Sequence, residues 1–384
     1  MIYRALGRTG MKVSEIGLGC EHLQGKDAQT VKNMIDAALE QDVNILDIFM
    51  SEPQVRSDIG AALRGRRDKV FIQGHIGAIW KDGQYGRSRN IDECKAAFQD
   101  LLDRLETDYI DIGMIHFVDT MEDFEETFSG PVIEYAKELR EKGIIRAIGM
   151  SSHSPLVAKR AVETGLIEVL MFSLNPAYDI LPEETVIDNL FNPESYKDES
   201  LRGVNLQRDA LYKTCETMGT AITVMKGLGG GALLHVEASP FGIALTPVQC
   251  AHYALTRPAV ASILVGCIDG GQLSAATAYE TATEAERDYS VALSATPKFS
   301  LRGKCMYCNH CLPCPSRIDV AQVNKYLDLA QMSTDSPPAT VKEHYAALES
   351  HASDCIQCGE CEERCPFDVP VISKMEQAAA IFGK

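Results

Sequence analysis

Eight of the thirteen cysteines fall in two short runs, Cys305-x2-Cys308-x2-Cys311-x2-Cys314-Pro315 and Cys355-x2-Cys358-x2-Cys361-x3-Cys365-Pro366. No other feature restricts the fold as much. A CxxCxxC turn directs three soft thiolates at one small object from a few residues of backbone, which suits a cubane iron–sulfur cluster. Proline after the last cysteine of each run ends the turn. Paired four-cysteine zinc sites also use CxxC units, and disulfides would use the same residues in an oxidising compartment. Tetrahedral zinc needs only two cysteines per turn, so the third in each run favours iron. Cys20, Cys94, Cys215, Cys250 and Cys267 stand in apolar or helical contexts and are expected to be small core residues.

The spacing resembles the ferredoxin signature for two [4Fe–4S] clusters. In ferredoxins of this kind the fourth cysteine of each run crosses over. The resemblance therefore implies one cluster on Cys305, Cys308, Cys311 and Cys365, and another on Cys355, Cys358, Cys361 and Cys314. The two-residue gap before Cys314, where the bacterial run has three, is a departure. Helical patterns at 319–332 and 340–351, divided by the breaker STDSPP, suit a mainly helical ferredoxin-like module.

A chain of 384 residues with 45% hydrophobic and 24% charged residues is globular and large enough for one main core and a small one. No segment has eighteen consecutive apolar residues, and Met1 leads into a folded-looking pattern without an apolar leader, so a soluble cytoplasmic protein is expected, with no membrane association. A formal charge of −17 repels nucleic acid and favours a basic partner, such as an electron-transfer protein.

From residue 14 to about 281, short apolar runs alternate with amphipathic stretches eight times, the pattern of an α/β (β/α)8 TIM barrel. Strands are expected at 14–20, 44–49, 69–76, 109–117, 144–151, 168–174, 221–227 and 261–266. Runs such as IDIGMIHF are nearly continuous, as for parallel strands buried on both faces. Helices are expected at 28–40, 90–105, 131–141, 154–164, 206–218 and 247–256, with the longest connections at 76–89 and 175–204. PKFSLRGK at 297–304 reads as the junction, giving a barrel over 1–296 and a ferredoxin-like domain over 297–384.

The opening YRALGRTGMKVSEIGLGC, with NILDIF, RRDKVFIQ, DYIDIGMIHF, IIRAIGMSS and MKGLGGG, resembles the aldo/keto reductases, in the branch with a C-terminal [4Fe–4S] domain. That family is similar throughout in a tetrad of Asp, Tyr, Lys and His at the barrel mouth, where tyrosine protonates the carbonyl oxygen as hydride arrives. The resemblance matches Asp47 and His116 to its aspartate and histidine. Glu52 stands where the tyrosine is expected, His75 takes the lysine position, and no tyrosine lies between 47 and 60. Glu52, His75 and His116 are candidates for moving the proton, as is Tyr85 in WKDGQYGRSR if that loop folds over the mouth. Asp47, Glu52 and the two histidines are also potential divalent-metal ligands, without a helical ligand motif.

In the family the loops after strands seven and eight hold the dinucleotide phosphates. Here they carry Lys226, Gly227, Gly229 and Gly230, then Gly266 and Gln272, with Ile268 and Asp269 in place of the usual basic residue, which argues against NADPH. Leu174 stands where an aromatic often stacks on the nicotinamide. Lys226 is a candidate to replace the missing strand-three cation.

NAD(P)H therefore stays a possible cofactor, as does a flavin bridging two-electron and one-electron steps. The preferred reading is an oxidoreductase of a small carbonyl or alcohol substrate, with the clusters relaying electrons to an external ferredoxin or similar protein. A nicotinamide-free, cluster-driven reductase or dehydratase is the alternative, followed by an electron carrier or redox sensor.

Overall fold

Parallel strands enclosed on both sides need side chains that are apolar at nearly every position, and the eight expected runs supply them. In the computed structural model, which describes residues 1–294, 303–332 and 336–384, each becomes a strand within two residues of its expected ends. A hairpin of β1 (Tyr3–Ala5) and β2 (Lys12–Ser14) comes first. The barrel follows as β3 (Ile16–Gly19), β4 (Ile45–Ile48), β5 (Phe71–Ile76), β8 (Ile110–Ile115), β9 (Ile145–Ser152), β10 (Val169–Ser173), β11 (Ala221–Met225) and β12 (Val260–Gly266). It closes in the order β10-β11-β12-β3-β4-β5-β8-β9, every pair parallel.

Ile45, Ile112, Met114, Val169, Met171 and Leu264 fill the interior, together with Leu6, Met11 and Val13 from the hairpin end. Each such side chain contributes about 1.5–3 kcal/mol by leaving water. The hairpin end seals the floor, where the Arg8 guanidinium donates to the carbonyls of Met218, Gly165 and Ile167. The opposite rim, at the C-terminal ends of the strands, is left for chemistry.

Helices coat the outside by amphipathic stripes. In Ala28–Glu40 the buried residues are Val31, Met34, Ile35 and Ala38, one face of a helix whose N-terminus Asp27 caps. Helix Pro53–Leu63 escapes the periodicity because it buries Arg56 and Asp58 among its apolar residues, with Arg56 donating to the Met50 and Ala97 carbonyls and to Asp100.

The connection 76–89, expected to be a loop, contains a second hairpin, β6 (Ala78–Lys81) and β7 (Gln84–Arg87). Gly77 turns the chain out of β5 at φ +93°, where an added Cβ would lie 2.8 Å from the Ser88 carbonyl oxygen. Asp82 and Gly83 form the tip with φ of 54° and 76°, the paired positive values of a type I′ turn.

The cysteine-bearing segment adds helices Val320–Ala330, Ala339–Ala346, Glu360–Arg364 and Val371–Phe382. Most of the expected junction, and part of the breaker STDSPP, lie outside the described residues. The segment rests on the barrel wall behind β11 and β12. The Met306 carbonyl accepts from the Arg257 guanidinium and from Tyr289 Oη at 2.7 Å, His344 pairs with Glu216 at 2.9 Å, and Lys304 with Asp209 at 3.3 Å. In the barrel order this wall stands across from β5 and β8.

Candidate functional site

Strand ends at the rim bring four side chains into one hydrogen-bonded line. Asp47 ends β4, His75 lies near the end of β5, His116 follows β8, and Tyr85 arrives from β7. His75 Nε2 is 3.0 Å from Asp47 Oδ1, His75 Nδ1 is 2.8 Å from His116 Nδ1, and Tyr85 Oη is 2.5 Å from His116 Nε2. Gln73 Nε2 also donates to Asp47 Oδ1, at 3.0 Å. Relative exposures of 2% for Asp47, 1% for His75 and 5% for His116 against 43% for Tyr85 show a line that starts in the interior and ends at solvent. Phe49 stacks on the His116 ring, 5.8 Å between centroids with planes 8° apart, and fixes its orientation.

An ionised Asp47 only accepts, so His75 Nε2 carries hydrogen and its Nδ1 accepts from His116 Nδ1–H. His116 Nε2 is then an acceptor, and the Tyr85 hydroxyl donates to it. Every ring nitrogen is engaged with both imidazoles neutral, which leaves none for a metal ion. With one further proton on the line, each bond reverses and the phenolic hydrogen turns outward.

Burial, with His75 and Arg89 adding to it, holds His116 well below the ordinary imidazole value of 6.5. Burial also raises the Tyr85 hydroxyl, partly offset by Arg87 and Arg89, so the phenol stays protonated at neutral pH. The sign for stability follows from the depressed histidine. Below about pH 6.5 the unfolded chain binds a proton at His116 that the folded chain refuses, so this contribution is full above 6.5 and falls as pH drops. Urea unfolding of His116→Gln is expected to lose less stability between pH 6.5 and 5 than the parent protein does.

Glu52 departs from its expected role. It is the N-cap of helix Pro53–Leu63, accepting from the amides of Gln54 (3.1 Å) and Val55 (2.6 Å). Lys226 likewise stands apart from the line, paired with Glu21 at 3.3 Å.

The turn after β12 is partly capped by its own side chains. Asp269 caps helix Gly270–Thr277 by accepting from Gln272 N at 2.9 Å, and Gln272 Oε1 accepts from Ile268 N at 3.1 Å. A carboxylate thus takes one of the amides that a phosphate would use and adds negative charge beside the others. At Gly266 an added Cβ would lie 2.5 Å from the His22 ring, and at Gly230, in the left-handed run Gly229–Gly231 after Gly227, one would lie 3.4 Å from Phe191.

The cysteine turns repeat one another in conformation. Left-handed backbone occurs at Tyr307, Asn309 and Arg317 (φ 56°, 62° and 57°) and again at Gln357, Gly359 and Asp368 (φ 56°, 81° and 50°). Counted from Cys305 and Cys355 the first two positions coincide, and counted from Cys314 and Cys365 so does the third. Cys314 lines one cavity with Cys355, Cys358 and Cys361, and Cys311 borders the same cavity. Cys365 lies near Cys308 and Cys311, whose thiols burial pushes up and whose neighbouring cysteines push up further. Buried thiols of this kind become thiolates only beside a cation, and the donors fit iron–sulfur clusters. Among the described residues no three donors converge tightly enough for a single metal ion, the geometry a zinc site would need. The other five cysteines are buried.

Comparisons with known proteins agree with both parts. Residues 15–240 match the Aldo/keto reductase family, and residues 304–370 match a 4Fe-4S dicluster domain. An uncharacterized oxidoreductase, YqkF, of Bacillus subtilis strain 168 is 33% identical over 187 residues, 47% of this chain and 58% of that protein. The aldo-keto reductase YhdN of the same organism is 31% identical over 193 residues, 48% of this chain and 56% of its own. The matched region thus spans less than two thirds of either relative's length. Among solved structures, the holo form of aldo-keto reductase AKR11C1 from Bacillus halodurans superposes with a TM-score of 0.58 at 24% identity, covering 75% of this chain and 94% of the other, a likeness of fold. Among the described residues no helix is long and apolar enough to cross a membrane.

Proposed function

The chain belongs to the aldo/keto reductase family, and we propose that its barrel interconverts a small carbonyl compound and the corresponding alcohol, Tyr85 exchanging the oxygen-bound proton and the cysteine segment serving the electrons. The observation that carries this reading is the unbroken line Asp47–His75–His116–Tyr85 ending at the rim. The family's own tyrosine position holds Glu52, whose carboxylate is spent on a helix cap, so Tyr85 is the phenol available at the mouth.

Two clusters are inferred from the repeated turns, held by Cys305, Cys308, Cys311 and Cys365 and by Cys355, Cys358, Cys361 and Cys314. When bound, such clusters exchange electrons one at a time, and a carbonyl takes two electrons and two protons on its way to an alcohol. The self-capped turn at Asp269 supports electron supply without a nicotinamide, and no step here passes through one.

The protein's residues supply the proton for oxygen, and water supplies the one that carbon takes with the electrons. In the outward setting the Tyr85 O–H faces the substrate oxygen. As the phenolic proton leaves, His116 Nε2–H moves to Tyr85 and His75 Nδ1–H to His116, while the proton on Asp47 passes to His75. The line ends in the inward setting, ready to take a proton from an alcohol. Neutral His116 lets the line conduct in either direction without a charged imidazole at rest.

The test is anaerobic. Protein reduced with titanium(III) is offered small aldehydes and ketones, and cluster absorbance and product are followed. Reoxidation is expected with one alcohol per two electrons, faster at lower pH, and alcohol oxidation by a chemical oxidant is expected to be faster at higher pH. Consumption of NADH or NADPH by the carbonyl with the cluster spectrum unmoved would replace this reading with hydride transfer. Water loss from an alcohol without electron uptake would make the protein a dehydratase.

A further inference from the structure

We propose that the compound taken at the barrel mouth carries a carboxylate next to its carbonyl or hydroxyl group, and that Arg87 binds that carboxylate. The inference rests on the reading of Tyr85 as the group that meets the substrate oxygen.

Arg87 follows Tyr85 by two residues on β7, so both side chains leave the same face of the hairpin, about 7 Å apart along the strand. One small oxo acid spans groups that converge from such a spacing. The guanidinium is held rather than free. Nη1 donates to the Phe117 carbonyl at 2.8 Å and to Asp123 Oδ2 at 3.2 Å, and the group lies 5.1 Å from the centroid of the Phe117 ring. The side chain is still 42% exposed, and among the described residues only its Nη1 is engaged in a hydrogen bond.

The carboxylate beside Arg87 is shared. Asp123 is already taken by Arg89, through Nε at 2.7 Å and Nη2 at 2.8 Å. One carboxylate therefore serves two guanidiniums, and the more exposed of them, Arg87, makes the longer contact with it, 3.2 Å. Glu21 is turned to Lys226 at 3.3 Å, and Asp119 to His153 Nδ1 at 2.9 Å. A planar guanidinium with two open donors matches a carboxylate in bidentate fashion.

Calorimetric titration of the cluster-loaded full chain with pyruvate and 2-oxoglutarate, against the neutral pyruvamide, tests the proposal. The acids are expected to bind at least tenfold more tightly than the amide. Arg87→Met is expected to remove that preference while amide binding and iron content stay unchanged, and Arg87→Lys to restore part of it. In turnover, KM for the acid rises in Arg87→Met and kcat changes little. Equal affinity of the parent protein for acid and amide would overturn the inference, as would a preference that survives Arg87→Met. Turnover of neutral carbonyls without acid preference removes Arg87 from recognition and spares the proposed chemistry. Acid binding through Arg87 with no electron transfer does the reverse.

Discussion

Tyr85→Phe is expected to lower kcat/KM for carbonyl reduction by about 10²–10⁴, the range over which a well-placed general acid acts. Iron content and the binding of a carboxylate at Arg87 should stay as they were. The substitution removes one oxygen and keeps the ring. The edge-on contact with Phe49, 6.0 Å between centroids, survives, as does the cross-strand pairing with Trp80. With Tyr85 at 43% exposure the ring itself costs little, and the lost bond to buried His116 is expected to lower stability by about 1–2 kcal/mol. What disappears is the outer end of the line, leaving His116 Nε2 without its partner and the substrate oxygen without a proton source. The residual reaction should also lose the opposed pH dependence of its two directions. Activity within threefold of the parent protein would remove Tyr85 from the chemistry and return the question to water or His116.

The sequence made the barrel legible because parallel strands covered on both faces demand runs such as IDIGMI, and few other structures tolerate them. Asp47, His75 and His116 were legible for a related reason, since each stands at or just after a strand whose end was readable. Tyr85 was harder. Its position depends on a hairpin, and the signal for it, Asp82-Gly83, sits between short strands that carry Lys81, Gln84 and Arg87 and so lack apolar alternation. Glu52 misled for a local reason: a carboxylate directly before Pro53 is also a helix start, and the cap took precedence over the alignment. The glycines after β12 advertise freedom of backbone, whereas the capping by Asp269 and Gln272 that narrows that turn is a matter of side chains. Pairings across the fold, such as Arg89 with Asp123, have no trace in sequence spacing at all.

Cys314→Ser and Cys365→Ser are expected to remove different clusters, each the one built mainly by the other run. Iron should fall from about eight to about four atoms per chain in either variant. The cavity that Cys314 shares with Cys355, Cys358 and Cys361, also reached by Cys311, and the nearness of Cys365 to Cys308 and Cys311 are the grounds for expecting this exchange. Exposure tells the two losses apart. Cys358 is exposed and its neighbour Ile356 is 66% accessible, whereas Cys311 is buried and the Cys305 turn lies against the barrel through Met306. The parent protein should therefore lose iron to a hydrophilic chelator in two phases, fast from the exposed set and slow from the buried one. Cys314→Ser should retain only the slow phase, and Cys365→Ser only the fast one. Loss of the buried cluster should also loosen the seam where Arg257 and Tyr289 grip the Met306 carbonyl, so Cys365→Ser should show the larger drop in melting temperature. If each variant instead lost the cluster of its own run, the chain would have to thread its fourth ligands locally. The matched left-handed residues Arg317 and Asp368, each three positions beyond its proline-flanked cysteine, would then have no common purpose.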